Sequence, residues 1–125
     1  MNYSFSGYRN NRGETIVLVC DGEGYHANLP KYLDEVNHSP NGFNWGYGGG
    51  SGPAQLAYAL LRFFAEREFA NEMDSAELKE FARDIASKFH HDFMLDFVSG
   101  FSDSWKITGK DIERWLVENT AKEDD

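Results

Sequence analysis

Apolar and β-branched residues form two short runs near the N-terminus, and polar turn residues bound each run. The stronger run extends from Thr15 to Cys20, and a weaker strand pattern covers Tyr3 to Arg9. Residues 10–13, Asn-Asn-Arg-Gly, favour a turn between them. The pattern therefore predicts a hairpin, and a third strand is expected at Tyr25 to Leu29, after the turn Asp-Gly-Glu-Gly.

Farther along the chain, apolar residues recur at the three- and four-residue spacing of a helix face. The first helix is predicted to begin at Gly52-Pro53, because proline is favoured at the first helical position. Gln55 is expected to act as the capping-box partner of this helix. A second helix is predicted after Asp74, which Glu77 follows at capping-box spacing, and it extends to about Phe97.

The remaining segments are shorter. Residues 30–36 are expected to form a helical turn, and residues 37–52 a loop. Residues 105–107 are predicted to form an edge strand, and Thr108 is expected to cap a last helix. The residues expected in the core are Phe63, Phe64, Phe81, Ile85 and Trp115.

These elements predict one α+β domain over residues 1–120, in which two or three helices pack on a small N-terminal antiparallel sheet. Residues 121–125 are expected to form an acidic, frayed tail. A chain of 125 residues with 41% hydrophobic and 15% aromatic residues is too apolar to be disordered. A chain of this size buries roughly two thirds of the surface that its unfolded form exposes.

The formal net charge of the whole chain is -9, and its acidic side chains are concentrated in the second half. Residues 1–65 carry 5 acidic and 4 basic side chains, whereas residues 66–125 carry 16 and 8. Such a charge disfavours direct binding of nucleic acid through a basic groove. Exposed carboxylates at Glu77, Glu80 and Asp84 could instead imitate a phosphate backbone and occupy a basic protein channel. The alternative is that these charges keep the protein soluble.

Cysteine use and hydropathy indicate the compartment. Cys20 is the single cysteine, so no internal disulfide is expected, and its place at a strand end predicts a small buried side chain. The N-terminus lacks the pattern of a secretory signal. The longest apolar stretch is shorter than the about 20 residues that cross a bilayer. A cytoplasmic protein without membrane contact is expected.

A glycine-rich loop between Gly42 and Ala57 carries the most informative pattern. It ends where a helix begins, so free backbone N–H groups could hold a small anion, and its aromatic residues could contact a protein. The residues expected to bind a ligand or partner are Trp45, Tyr47, Gly48, Gly49, Gly50, Ser51, Gly52 and Gln55. No lysine follows the glycines as in a P-loop, and Pro53 replaces the second glycine of a nucleophile elbow. Alternatively, the glycines only let the aromatic rings fold back over the hairpin.

This loop also carries a resemblance. Its stretch Trp-Gly-Tyr-Gly-Gly, continued by Ser-Gly-Pro-Ala-Gln-Leu-Ala, resembles an uncharacterised family (domain of unknown function) of small phage, plasmid and prokaryotic proteins. The present chain has three consecutive glycines where the family signature has two. The resemblance extends more loosely to Tyr8-Arg9, Asp21-Gly22 and Trp115-Leu116. It implies a mobile-element setting, in which small accessory and counter-defence proteins are common, and no established activity.

Histidines and carboxylates offer weaker candidates. His90, His91 and Asp92 are adjacent, but a helical metal pair needs i, i+3 or i, i+4 spacing. Asp92 and Asp96 have i, i+4 spacing and could form an acid/base couple, although they also fit a solvated stripe. No catalytic residue, metal ligand or cofactor is therefore assigned.

Three functions remain from the sequence. The preferred hypothesis is a non-enzymatic binding or interaction protein of mobile-element type, whose aromatic glycine loop contacts a protein partner or a small anionic ligand. The alternative is an acidic inhibitor of a host defence or nucleic-acid enzyme, similar to an anti-CRISPR protein. The third is an enzyme that uses the loop as an anion cradle.

Overall fold

In the computed structural model, which describes residues 2–40 and 42–123, strands come first and helices follow. The elements are β1 (Ser4–Arg9), β2 (Thr15–Cys20), β3 (His26–Asn28), α1 (Ser51–Phe69), α2 (Ser75–Asp96), a 3-10 turn (Val98–Gly100), β4 (Trp105–Thr108) and α3 (Gly109–Glu123). Helix α3 thus includes the first part of the predicted tail, and residues 124 and 125 lie outside the described residues.

The four strands form one antiparallel sheet in the order β3-β2-β1-β4. The register places Phe5 opposite both Val19 on β2 and Ile107 on β4. These three side chains are buried, whereas Ser4 and Ser6 lie on the other face and are partly exposed. The predicted α+β class, hairpin, third strand and edge strand are confirmed.

The helices pack on the buried sheet face, with α1 at the centre. Every residue from Leu56 to Leu61 is buried, and the ring of Phe63 contacts that of Phe5 edge-on at 5.7 Å. Helix α3 contributes Trp115, whose ring packs edge-on against Phe93 of α2 at 5.1 Å. No helix within the described ranges combines the length and the apolar character needed to span a bilayer.

The predicted core is confirmed except at one position. Phe64 and Trp115 are buried, and Phe63 and Ile85 are half-buried against the core. Phe81 lies outside it and contacts Phe69 edge-on at 5.0 Å. The expectation for Phe81 is wrong because the helical period identifies the apolar face of α2 but not where its neighbours end.

Local capping signals explain two helix starts but not the third. The Asp74 carboxylate accepts hydrogen bonds from two backbone N–H groups of the first turn of α2, as predicted. Thr108 and Asp111 cap α3 reciprocally, at 3.0 and 3.1 Å. Helix α1 follows Gly50 with no side-chain cap, so the capping role predicted for Gln55 is wrong.

Candidate functional site

Trp45, the leading residue of the predicted binding loop, is 1% exposed. Its ring packs edge-on against Trp105 at 5.6 Å, and the Arg9 guanidinium lies over it at 4.5 Å from the ring centroid. The expectation that Trp45 forms an exposed contact surface is therefore wrong. The indole covers the sheet near β1 and β4, a long-range contact that loop composition does not reveal.

The glycines around Trp45 serve close packing and turning of the chain. Gly46 and Gly49 have φ of 88° and 86°, a region that glycine adopts readily. A Cβ atom on Gly52 would lie 2.6 Å from the Cβ atom of Asn44. The geometry agrees with the structural alternative for these residues. Gly48 and Ser51 are exposed, and Gly50 is half-buried under the Tyr47 ring.

Tyr47 is the aromatic residue of the loop that reaches the surface. Its hydroxyl accepts a hydrogen bond from the Asn44 side chain at 3.3 Å. Leu95 of α2 lies beside Gly48 and is also exposed. The part of the predicted surface that a partner could touch is thus a small patch around Tyr47 and Leu95.

Gln55 is fully buried and holds the segment that precedes the glycine loop. Its Nε2 atom donates to the carbonyl oxygens of Lys31 at 2.6 Å and Val36 at 3.0 Å. Its Oε1 atom accepts from the backbone N–H of His38 at 2.8 Å. Since all three bonds go to the backbone of this chain, Gln55 fixes the loop, and its predicted contact with a ligand stays a prediction.

A buried ionic cluster, which the sequence analysis did not identify, lies next to Gln55. Arg62 donates from Nε and Nη2 to the Glu35 carboxylate at 2.9 and 3.0 Å. Tyr58 donates to Glu35 at 2.8 Å, and Arg83 of α2 lies 3.1 Å from it. A sequence signal was available: Arg62 interrupts the apolar run of α1, and a charge in such a position needs a partner.

The electrostatics of this cluster follow from burial and pairing. Burial raises the pKa of Glu35, but hydrogen bonds from Arg62, Tyr58 and Arg83 outweigh it and hold the pKa below 4.5. Burial and the adjacent carboxylate raise the pKa of Tyr58 above its ordinary value. A cavity of about 250 Å³ adjoins the cluster. With both carboxylate oxygens engaged, Glu35 ties the loop to α1 and α2.

His38 and His90 stack beside the cluster, with ring centroids 5.2 Å apart. Partial desolvation of its ring lowers the pKa of His38, although the residue is largely exposed, and repulsion by His90 lowers it further. His26 lies near Cys20 instead, and no group of three or more metal-binding side chains occurs in the part of the chain that the structure describes. The structure therefore brings His38 and His90 together and leaves His26 apart from them.

Acidification from pH 7.5 to 5 is expected to destabilise the fold through His38. Because its folded-state pKa lies below 6.5, the unfolded chain binds more protons in this range, so stability is full above pH 6.5 and declines below it. Urea unfolding of the wild type, His38→Gln and His90→Gln at several pH values measures the effect. Both variants should show a slightly shallower pH dependence than His91→Gln, the control at an adjacent exposed histidine that is not part of the stack. Equal slopes in all three variants would contradict this assignment.

Two further residues have contacts that the sequence does not reveal. Asp96 accepts a hydrogen bond from the Trp115 indole at 2.7 Å and so anchors α3. Cys20, expected to be buried, is half-exposed on the outer sheet face, and its sulfur lies 3.0 Å from Nδ1 of His26. Alternation along β2 places it opposite the core face.

An apolar groove of about 360 Å³ opens between the three helices. Its apolar wall is formed by Phe64, Ala65, Phe69, Phe81, Ile85, Leu116 and Val117. Val117 is 62% exposed, so this apolar surface reaches solvent. The charged residues of the lining are Glu68 and Glu113. The groove explains why Phe81 lies outside the core.

The predicted acidic face occurs on the solvent side of α2. Glu77, Glu80 and Asp84 are all exposed. Arg83 lies among them in sequence, but its guanidinium contacts the buried Glu35. The three carboxylates thus lie on the same helix as the groove residues Phe81 and Ile85.

Comparison with known proteins gives one match. No match was found among curated proteins or among solved structures. The model of a family of unknown function, DUF6166, matches residues 5–83, which include β1 from Phe5 onward, β2, β3, the glycine loop, α1 and the ionic cluster. The chain therefore belongs to this family of unknown function, DUF6166.

Proposed function

We propose that this protein is a non-enzymatic interaction protein that binds a basic amphipathic helix of a partner protein in the groove between α1, α2 and α3. The groove itself is the observation that carries the proposal. Its lining is almost entirely apolar, and it opens to solvent along the exposed side chain of Val117. Docking of the apolar face of a helix into such a groove is a recurrent mode of peptide recognition.

Charge complementarity identifies the kind of helix. Both charged residues in the lining are glutamates, and residues 66–125, which form most of the walls, carry 16 acidic against 8 basic side chains. A partner with lysine or arginine beside its apolar stripe is attracted by this field and binds faster at low salt. An acidic helix would be repelled.

The contact surface proposed here lies between the helices, whereas the sequence predicts it in the glycine loop. Trp45 and Gln55 are occupied in packing and in backbone hydrogen bonds, which leaves Tyr47 and Leu95 as a smaller accessory patch. We also propose that the protein acts in the cytoplasm, in the phage, plasmid or prokaryotic setting that the loop resemblance implies. The bound helix then belongs to a partner protein in that compartment.

The test uses helical peptides of leucine and lysine, with leucine at positions i, i+3, i+4 and i+7. Fluorescence anisotropy should show saturable binding of this peptide, and no binding of a leucine–glutamate peptide or a scrambled leucine–lysine peptide. Val117→Asp should weaken binding at least about tenfold, because it places a desolvated charge in the groove. Tyr25→Asp, at another large hydrophobic residue that is 73% exposed and lies outside the groove, is the matched control. Equal weakening by both variants would refute the groove as the site.

A second candidate function is the acidic inhibitor of a nucleic-acid enzyme. It is favoured by the exposure of Glu77, Glu80 and Asp84, whose sequence neighbour Arg83 is engaged by Glu35 and does not neutralise them. Under this alternative, combined substitution of the three carboxylates by lysine weakens partner binding more than Val117→Asp does. Under the groove proposal the order is reversed.

A further inference from the structure

The end of the groove next to Tyr3 differs chemically from the rest of its lining. The Tyr3 hydroxyl donates a hydrogen bond to Oε2 of Glu68 at 3.1 Å. Glu68 on α1 and Glu113 on α3 both line the groove. Burial raises the pKa of Tyr3, and the negative charges of Glu68 and Glu113 raise it further. The two carboxylates therefore line the same groove from different helices, and Glu68 is bonded to the Tyr3 phenol.

Neither carboxylate is held by a basic side chain in direct contact among the residues that the structure describes. Over the described residues, no ion pair involves Glu68 or Glu113. The nearest cation in sequence to Glu68 is Arg67, whose guanidinium lies over the Tyr3 ring at 4.4 Å from its centroid. Two like charges near a partly apolar surface repel each other, and a cation placed between them removes that repulsion.

We propose that Glu68 and Glu113 form a clamp for one lysine or arginine side chain of the bound helix and so determine which helices the groove accepts. This inference rests on the proposed function of the groove. The aliphatic stem of the basic residue packs along Leu116 and Val117, while its charged end lies between the carboxylates. Tyr3 acts as a positioning residue, since its hydroxyl fixes the Glu68 side chain.

The chemistry of the site favours an organic cation over a metal ion. Calcium takes six to eight oxygen ligands and magnesium six, whereas two carboxylates and a phenol supply too few. No group of three metal-binding side chains occurs within residues 2–40 and 42–123. A long basic side chain, in contrast, satisfies both the apolar wall and the two charges.

The test uses a leucine-striped helical peptide whose polar face is neutral, with glutamine at every position flanking the stripe. A series of peptides then carries one lysine in turn at each flanking position. At one position, lysine should lower the dissociation constant about tenfold relative to the all-glutamine peptide at low salt, and by a smaller factor at high salt. In Glu68→Gln and Glu113→Gln this gain should vanish, while the affinity for the all-glutamine peptide stays the same or increases. Glu118→Gln, an exposed carboxylate of α3 outside the groove, should retain the gain.

Tyr3→Phe tests the positioning role, because it keeps the ring and removes only the hydroxyl. It should reduce the gain from lysine without changing the affinity for the all-glutamine peptide, a result that a general loss of stability would not produce. If the all-glutamine peptide binds in a manner sensitive to Val117→Asp and lysine improves it at no position, the clamp is wrong and the groove proposal stands. If no peptide of the series binds, both are overturned.

Discussion

Replacing Glu35 by alanine is expected to lower the free energy of unfolding by about 3 kcal/mol or more. The side chains of Glu35 and Arg62 are only 6% and 3% exposed. Removing the carboxylate leaves the buried Arg62 guanidinium with one carboxylate, Glu66 at 2.7 Å, and with its contact over the Tyr32 ring. It also deprives the Tyr58 hydroxyl of its hydrogen-bond acceptor. A buried charge that loses its bidentate partner costs far more than the loss of an exposed ion pair.

Urea unfolding followed by tryptophan fluorescence measures this effect. Asp34→Ala is the matched control, because Asp34 is the exposed sequence neighbour of Glu35 and should change stability little. Combining Glu35→Leu with Arg62→Met should recover much of the loss, since the two charges that lose a partner, Glu66 and Arg83, both reach solvent. Unfolding midpoints that coincide for Glu35→Ala and Asp34→Ala would refute the importance of the cluster.

The same carboxylate gives a second pH window, distinct from that of His38. Because the folded-state pKa of Glu35 lies below 4.5, the unfolded chain takes up a proton first as the pH falls. Its contribution to stability is therefore complete above about pH 4.5 and is lost as the pH falls through the folded-state pKa. Destabilisation between pH 6.5 and 5 thus reports on His38, and destabilisation at lower pH includes Glu35.

Gln55→Leu is expected to lower the free energy of unfolding by about 3 kcal/mol. Leucine fills a similar volume, but the carbonyl oxygens of Lys31 and Val36 and the N–H of His38 lose their partner. Each buried backbone group left without a hydrogen bond costs about 1 kcal/mol or more. Hydrogen exchange should accelerate in the segment between β3 and α1, because Gln55 is what attaches it to the helix.

Ser51→Ala provides the control for Gln55→Leu. Ser51 is exposed at the start of the same helix and belongs to the same predicted binding loop, yet no side-chain cap is formed there. Its substitution should leave both stability and hydrogen exchange unchanged. A different result would be that Gln55→Leu alters peptide binding while its stability equals that of Ser51→Ala. In that case Gln55 contacts the partner, and its assignment as the residue that attaches the loop to α1 is wrong.

The features predicted correctly from the sequence are those that neighbouring residues determine. Asp74 caps α2 and Thr108 caps α3 because a capping side chain bonds to the backbone within three residues of itself. The hairpin follows from two strand-forming runs with a turn between them. Such contacts are short in sequence, so the pattern alone specifies them.

The errors concern residues whose surroundings come from distant parts of the chain. Trp45 was expected at the surface, but it is covered by Trp105 and Arg9, 60 and 36 positions away. The sequence predicts Gln55 as a helix cap because it does not show that Lys31 and Val36, 24 and 19 positions earlier, lie beside its side chain. Phe81 was expected in the core, since periodicity cannot show that α3 leaves a gap beside it. Packing between elements decided each case.

The sheet face that turns away from the helices carries a natural site for attaching a spectroscopic label. Cys20 is the single cysteine, and it is half-exposed on the face that turns away from the three helices. A thiol-reactive dye or spin label therefore attaches at one defined position, behind the sheet. Rotational diffusion or distance measurements from that label can follow the arrival of a peptide on the helical side without adding a substituent to the groove.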